Sequence, residues 1–223
     1  MKKLNVNTNG NRKLTNNENT RFMIWNLPAV KTCPFRTALC EKSCYARKAE
    51  RVYPQVLPSR ERNYEESLSP EFVENMIFTI ESLLNSKGFK GKKAVFRIHE
   101  SGDFYNFEYT MKWVQIAQHF ENDPRIVFLA YTKSIVHFIA CGYGTNFFPS
   151  NLVVRSSLWK DTAIKYIALT AQYSFPVYTA FTREEMNKKI NLGDVFTECR
   201  CSDCATCGYC WNKEHKEIIC EIH

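Results

Sequence analysis

Apolar and polar positions follow two patterns along most of the chain, and these patterns predict helices and strands in turn. The clearest helix begins at Ser69-Pro70-Glu71, where a capping hydroxyl, a proline and a carboxylate suit the first turn. Its apolar face ends before Gly88. Short apolar runs closed by polar residues or proline indicate buried strands. The predicted strands lie at 22–28, 94–99, 126–131, 152–155 and 176–178, and further helices lie at 106–120, after Ser134 and at 161–173.

The alternation of strands and helices indicates the fold class. It is typical of right-handed βαβ units and therefore of an α/β fold with a parallel sheet, either doubly wound or curled into a full or partial barrel. Residues 1–20 are rich in Asn, Lys and Thr and predict an irregular leader before the α/β domain at 21–190. Cysteines replace the apolar pattern at 191–223, which predicts a small metal-stapled appendage.

Composition narrows the class of protein. The 223 residues, of which 44% are hydrophobic, suffice for one sizeable core. No apolar run follows the two lysines at the start, and no stretch reaches membrane-spanning length, so we expect a cytoplasmic protein with no membrane partner. That compartment keeps thiols reduced, and two-residue spacings do not suit disulfides. The ten cysteines therefore favour metal ligation.

The denser group of cysteines lies near the carboxyl end, with the spacing C-x-C-x2-C-x2-C-x2-C. Repeated two-residue spacing lets consecutive thiolates surround one centre and resembles ferredoxin-type iron–sulfur ligation. Structural zinc is the alternative, because zinc ribbons also use C-x2-C pairs. Four ligands fill one site, so one of the first two cysteines is expected to be spare, with Cys220 as a substitute. The predicted metal ligands are Cys199, Cys201, Cys204, Cys207 and Cys210.

A second group, Cys33, Cys40 and Cys44, follows the first predicted strand. Three cysteines with no neighbouring histidine suit a cluster in which one iron lacks a protein ligand, leaving a coordination site open for chemistry. The alternative is a zinc site completed by a fourth ligand from elsewhere.

A polar turn follows the second predicted strand. At such strand ends α/β folds place ligand-binding groups, and a carboxylate there can pair with an amine of a cofactor. The alternative is that Asp103 caps the next helix and Glu100 pairs with a local cation. Polar residues after the third and fourth strands are weaker candidates, with ordinary loop chemistry as the alternative. The predicted cofactor-binding residues are His99, Glu100, Ser101, Gly102, Asp103, Lys133 and Ser156.

The net charge of +7 and a pI of about 8.8 are mildly basic. Such a balance can favour nucleic acid or an anionic cofactor. The cations look scattered along the sequence, so nucleic acid is a partner that we do not favour at this stage.

Several of these features together resemble the bacteriophage gene product 88 family. They are the Cys33/Cys40/Cys44 triplet followed by Tyr45-Ala46, the turn His99 to Phe104, and the ending Cys204-x2-Cys207-x2-Cys210-Trp211. The resemblance covers roughly residues 20–212 and implies a phage or prophage origin. The family is poorly characterised and implies little about mechanism.

More distantly, the order of elements is similar to that of radical S-adenosylmethionine enzymes. Those enzymes carry three cluster cysteines after the first strand of a partial (βα)6 TIM-like barrel. The resemblance implies such a barrel here, with a 4Fe–4S cluster on Cys33, Cys40 and Cys44 and an auxiliary cluster on the carboxyl-terminal cysteines. It also implies that residues 100–103 contact the amino group of S-adenosylmethionine. The spacing is C-x6-C-x3-C here and C-x3-C-x2-C in the common radical pattern.

Three functions agree with these features of the sequence. The leading hypothesis is a radical S-adenosylmethionine-like enzyme that acts on an unknown substrate and takes electrons from a donor. The runner-up is a non-catalytic iron–sulfur or zinc protein that binds nucleic acid or a host protein, which salt-sensitive binding without cofactor cleavage would indicate. The third is a metal-dependent nuclease or hydrolase built on His99, Glu100 and Asp103. The absence of a second clear cluster of His, Asp or Glu in the sequence weakens this hypothesis.

Overall fold

The apolar runs of the sequence form one curled sheet in the computed structural model, which describes residues 1–10, 13–191, 196–199 and 203–221. Its strands are β1 (Thr20–Trp25), β2 (Lys93–Ile98), β3 (Ile126–Thr132), β4 (Leu152–Leu158), β5 (Val177–Phe181), β6 (Thr197–Glu198) and β7 (Glu217–Glu221). All pairings among them are parallel, and the order across the sheet is β1-β2-β3-β4-β5-β7-β6. The α/β class and the parallel sheet are confirmed, in the form of a half-barrel.

Helices connect the strands. They are α1 (Ala38–Lys42), α2 (Tyr45–Val52), α3 (Val56–Leu68), α4 (Phe72–Leu84), α5 (Phe107–His119), α6 (Ile135–Ala140), α7 (Ile164–Gln172), α8 (Arg183–Asn191) and α9 (Cys204–Cys207), with a 3₁₀ turn at Tyr209–Trp211. The helices predicted from Ser69 onward are present as α4 to α7, whereas α1 to α3 were not predicted. Across the described ranges, no helix combines the length and apolar character needed to cross a bilayer.

The two faces of the sheet are covered by different parts of the chain. Side chains alternate across a strand, so Met23 and Trp25 face the outer layer, where α4 and α5 pack, while Phe22 and Ile24 face the inner layer. The inner layer is covered by the carboxyl-terminal segment, whose Trp211 ring meets that of Phe22 edge-on at 5.9 Å. Each fully buried side chain of this kind contributes about 1.5–3 kcal/mol.

The leader is irregular in structure but packs onto the body of the protein. Asn7 forms an isolated bridge with Ile24 in β1, and Leu4 and Leu14 are buried. The Leu4 amide donates to the Thr79 hydroxyl on α4 at 2.9 Å. Two isolated apolar residues and a few hydrogen bonds therefore hold the leader in place.

Part of the carboxyl-terminal segment, for which we predicted a small appendage, joins the sheet of the α/β domain. Its strand β7 lies between β5 and β6 and pairs with β5 from Val177–Glu217 to Phe181–Glu221. Ile218 and Ile219 are buried there. The boundary placed at residue 190 therefore falls within one continuous sheet.

Candidate functional site

The carboxyl ends of β1 to β5 form one edge of the half-barrel, which we call the mouth. Two of its loops are joined through Asn26, the first residue after β1. Its side-chain oxygen accepts hydrogen bonds from the amides of Glu100 at 2.8 Å and Ser101 at 3.0 Å. Ser101 and Leu27 exchange two further bonds, each 2.9 Å long. The turn after β2 is thereby fixed against the chain leaving β1.

Gly102 allows this close approach. Its φ is +86°, and an added Cβ would lie 2.7 Å from both Leu27 Cβ and Thr32 Oγ1. A glycine is required both by the left-handed backbone and by the space. Gly102, which we predicted to contact a cofactor, therefore lets the turn after β2 pack closely against the chain that follows β1.

Asp103 is buried and uses both carboxylate oxygens within the protein. Oδ1 accepts from the Thr132 hydroxyl at 2.5 Å and the Phe104 amide at 2.8 Å, and Oδ2 accepts from the Lys133 amide at 3.0 Å. Burial raises the pKa of Asp103, and these hydrogen bonds oppose the rise. The cap of α5 that we considered for Asp103 is made by Asn106, whose side chain accepts from the Tyr109 amide.

His99 belongs to the core of the outer layer. Its φ of 65° turns the ring onto the side where Tyr109 and Phe104 pack, and Nε2 lies 2.8 Å from the Tyr109 hydroxyl. Burial lowers its pKa to about 3, so the ring is neutral. The His99 side chain therefore packs in the core against Phe104 and Tyr109.

The three amino-terminal cysteines lie on one loop at the mouth, here called the three-cysteine loop (Cys33–Cys44). All three thiols are half-buried. Burial raises the pKa of Cys33 to about 12, and the nearby Asp103 carboxylate and the thiols of Cys40 and Cys44 add to the rise. Cys33 therefore lies within electrostatic reach of the Asp103 carboxylate and of the other two thiols.

The loop is held at its middle and just after its carboxyl end. The Leu39 amide donates to Asp161 Oδ2 at 2.8 Å, and Asp161 lies between β4 and α7. The Tyr45 hydroxyl donates to the Glu100 carbonyl at 2.6 Å. The three thiols are thus presented on a segment tied to two other loops of the mouth.

A cavity of about 480 Å³ lies between the three-cysteine loop and the connection from β4 to α7. Its volume is within the usual range for small-molecule sites. Lys133 enters it, with Nζ 3.2 Å from the Ser157 hydroxyl and 5.4 Å from the Trp159 ring. Ser156 also lines the cavity, and its hydroxyl is hydrogen-bonded to that of Thr170 of α7 at 2.8 Å. The lining also includes residues 34–38, Asp161 and Tyr166.

Cys204 and Cys210 of the carboxyl-terminal group pack on the inner face of the sheet. Burial raises the pKa of Cys204 to about 12, with further contributions from the thiols of Cys210, Cys199 and Cys207. Cys199, Cys207 and Cys210 therefore lie within electrostatic reach of Cys204. The fifth predicted ligand, Cys201, falls outside the described residues.

Two guanidinium groups lie beside these thiols. Arg97 stacks on the Tyr131 ring at 3.7 Å, and Tyr131 is hydrogen-bonded to Cys210. Burial raises the pKa of Cys210, while Tyr131, Arg155 and Arg97 lower it. Arg155 is fully buried and donates to four backbone carbonyls. The acceptors are Cys210 (2.6 Å), His215 (2.8 Å), Asn212 (2.8 Å) and Tyr209 (3.1 Å).

The donor set favours soft metals. Thiolates suit iron–sulfur clusters and zinc, whereas magnesium and calcium take oxygen ligands. Within the part of the chain that the structure describes, no three His, Cys, Asp or Glu side chains are arranged closely enough to ligate one ion. The grouping of thiols, rather than a finished coordination geometry, is therefore what the structure offers. His99, Glu100 and Asp103 do not form an oxygen-ligand site, because His99 is in the core and both oxygens of Asp103 are bonded.

Comparison with known proteins identifies the family. A model described as Gene product 88 matches residues 3–213. The chain belongs to the gene product 88 family. It is 30% identical over 198 residues to the Gene 88 protein of Mycobacterium phage L5, across 81% of this chain and 78% of the phage protein. It is also 30% identical over 196 residues to the Gene 88 protein of Mycobacterium phage D29, with the same shares covered. No solved structure matches the chain.

Sequence reasoning missed three residues that shape the site of this gene product 88 chain. They are Asn26, which joins the mouth loops, and Arg97 and Arg155, which lie beside the carboxyl-terminal cysteines. The two arginines could have been noticed in the sequence, because each directly follows three apolar residues of a predicted strand. A cation in that position needs polar partners on one face of the sheet.

Proposed function

We propose that this gene product 88 chain is an iron–sulfur protein with a radical S-adenosylmethionine-like activity. Cys33, Cys40 and Cys44 would hold a 4Fe–4S cluster at the mouth. The observation that carries the proposal is the convergence of these thiols on one tethered loop at the carboxyl end of β1. That end of a parallel sheet is where α/β folds bind their ligands.

A second centre is proposed for Cys199, Cys204, Cys207 and Cys210. The nearby charges support it, because Arg97 and Arg155 offset the negative charge that four thiolates bring to a buried place. Cys201 remains a proposed ligand from the sequence.

The residues around the mouth would have separate tasks. When bound, the cluster would supply single electrons for the cleavage of S-adenosylmethionine. Glu100 carries a carboxylate in the turn that Asn26 holds in place, and it is the proposed partner of an amine. Lys133 offers a cation to an anionic group in the cavity. Asp103 and Gly102 would act indirectly, by fixing the turn that carries Glu100.

One observation favours a second candidate, a non-catalytic metal protein. Ala205 and Trp211 of the carboxyl-terminal segment pack on the inner face of the half-barrel against Phe22 and Leu129. The inner face is therefore occupied by the chain itself, which suits a metal whose task is to hold this segment down. In that case zinc would serve as well as iron.

Metal analysis of anaerobically purified protein tests the proposal. The wild type should contain about eight irons with matching sulfide, and Cys40→Ala/Cys44→Ala or Cys204→Ala/Cys207→Ala should each retain about four. Cys141→Ala is the matched control, because Cys141 is a half-buried cysteine at the end of α6, outside both groups, and its loss should leave the iron content unchanged. Stoichiometric zinc without sulfide would refute the iron–sulfur proposal.

The activity is tested separately. Under reducing conditions the wild type should cleave S-adenosylmethionine to 5′-deoxyadenosine and methionine, and Cys40→Ala/Cys44→Ala should not. A wild type that holds both clusters but neither binds nor cleaves S-adenosylmethionine would exclude the enzyme and support the non-catalytic candidate.

A further inference from the structure

Positive charge is concentrated beside the mouth. Residues 36–51 carry five lysines or arginines and two glutamates. Both glutamates are engaged, since Glu41 pairs with Arg36 at 2.6 Å and with Arg47 at 3.3 Å, and Glu50 pairs with the buried Arg60 at 2.8 Å. The cations that looked scattered along the sequence therefore leave an excess of positive charge on this surface.

Helix α2 arranges part of this charge in one direction. Cys44, Arg47, Lys48 and Arg51 follow one another at i, i+3, i+4 and i+7, so they lie on the same face of the helix, while Ala46 is buried on another face. The three cations are exposed, and no ion pair of Lys48 or Arg51 is found among the described residues. We call these four residues the cationic face.

Exposed apolar side chains follow the cationic face in the sequence. Val52 is 56% exposed and Tyr53 is 54% exposed at the end of α2, and Leu57 is 39% exposed at the start of α3. Aromatic side chains next to cations are the elements that bind single strands, because bases stack on the rings while the cations neutralise phosphates.

These features favour nucleic acid over a protein partner or a membrane surface. The centre of a protein interface is depleted of charged residues, whereas Arg47, Lys48 and Arg51 occupy the centre of this face. A membrane-surface helix needs an apolar face along its length, whereas Val52 and Tyr53 lie at the carboxyl end of α2 and Ala46 is buried within the protein. We propose that the cationic face and Tyr53 bind single-stranded nucleic acid. Since the face begins at Cys44, a bound strand would run along the mouth. The inference does not depend on which metal the thiols hold.

Fluorescence anisotropy with a labelled single strand of about 16 nucleotides tests the inference. Lys48→Gln/Arg51→Gln should weaken binding at least tenfold and should reduce the slope of log K against log salt by about 1.4, because each phosphate contact with a single strand contributes about 0.7. Tyr53→Ala should weaken binding about fivefold or more through lost stacking. Circular dichroism should show unchanged helix content, since glutamine keeps helix propensity close to that of lysine and arginine.

The matched control removes the same charge elsewhere. Lys87→Gln/Lys90→Gln changes two exposed lysines between α4 and β2, at the edge of the sheet opposite the mouth, and should leave the affinity nearly unchanged. An equal loss in this variant would refute the inference, since binding would then follow total charge. It would also be refuted if the wild type failed to bind at low salt, or if polyglutamate displaced the strand as well as unlabelled oligonucleotide does.

Discussion

Replacing Arg155 tests how the carboxyl-terminal segment is attached to the sheet. Arg155 lies in β4, is fully buried, and reaches four carbonyls of residues 209–215 with three nitrogens of its guanidinium. Burial lowers its pKa below the usual value, yet the side chain remains a cation at neutral pH. Its replacement by lysine keeps the charge and removes the planar fork.

The expected cost follows from the number of acceptors. Lysine has one donor nitrogen, and if it keeps two of the four carbonyls, two partly buried hydrogen bonds are lost. A hydrogen bond to a charged group contributes about 1.5–3 kcal/mol, so Arg155→Lys should lower the free energy of unfolding by about 3–6 kcal/mol.

Urea-induced unfolding followed by circular dichroism measures this cost. Amide hydrogen exchange at residues 204–212 should accelerate in the variant, because the segment loses its anchor. Arg125→Lys is the control, since Arg125 is exposed and pairs with Asp123 two residues away; it should change the stability by no more than about 0.5 kcal/mol. A loss below about 1 kcal/mol in Arg155→Lys would show that the four hydrogen bonds do not hold the segment.

Two further predictions concern the mouth and the core beneath it. Gly102→Ala should cost about 2–5 kcal/mol in urea unfolding, because it adds an overlap with Leu27 and Thr32 to the backbone strain. Gly91→Ala, with φ of +71° and no neighbour within 4 Å, should cost only about 1–2 kcal/mol, and equal losses in the two variants would rule out the close approach. Because the pKa of His99 is lowered to about 3, the unfolded chain binds its proton more readily below pH 6.5, and stability should fall by about 1.5 kcal/mol from pH 6.5 to pH 5. His99→Gln should remove this part of the pH dependence, and an unchanged slope in that variant would assign the effect to other groups.

The strands could be predicted because of where they lie in the sheet. Parallel strands covered on both faces are rich in consecutive apolar residues, and each of β1 to β4 contains at least three in a row. Strand β7 was missed because only Ile218 and Ile219 in it are buried, between charged neighbours. Two consecutive apolar residues within a charged segment are too few to predict a strand.

Helix α3 was missed for a different reason. The side that it buries is polar, with Arg60, Asn63 and Ser67, so it has no apolar period. Arg60 donates to the Ala46 carbonyl at 3.1 Å and Asn63 donates to the Asn26 carbonyl at 2.9 Å. Such a helix is stabilised by specific hydrogen bonds to distant residues, which hydrophobic periodicity does not detect.

The candidate site was predictable where its residues are close in sequence. Cys33, Cys40 and Cys44 lie on one loop, and their grouping follows from the spacing. The anchoring of the second group by Arg155 was not predictable, because its acceptors are backbone carbonyls 54 to 60 residues away. The placement of His99 was also hidden, since it depends on a left-handed φ that favours glycine and that a histidine rarely adopts.

The covering of the inner face constrains what the mouth can bind. Ala205 and Trp211 pack where a closed barrel would hold a small ligand, so the cavity of about 480 Å³ lies at the rim, between the three-cysteine loop and α7. A site at the rim can admit one part of a long ligand while the rest lies on the outer surface. The cationic face begins at Cys44, on the same loop, and would provide that surface for a polyanion. The two proposals thus meet at one place: thiols that suit a metal centre and cations that suit phosphates share the three-cysteine loop and α2. A polymeric substrate therefore agrees better with this arrangement than a small molecule enclosed in the barrel.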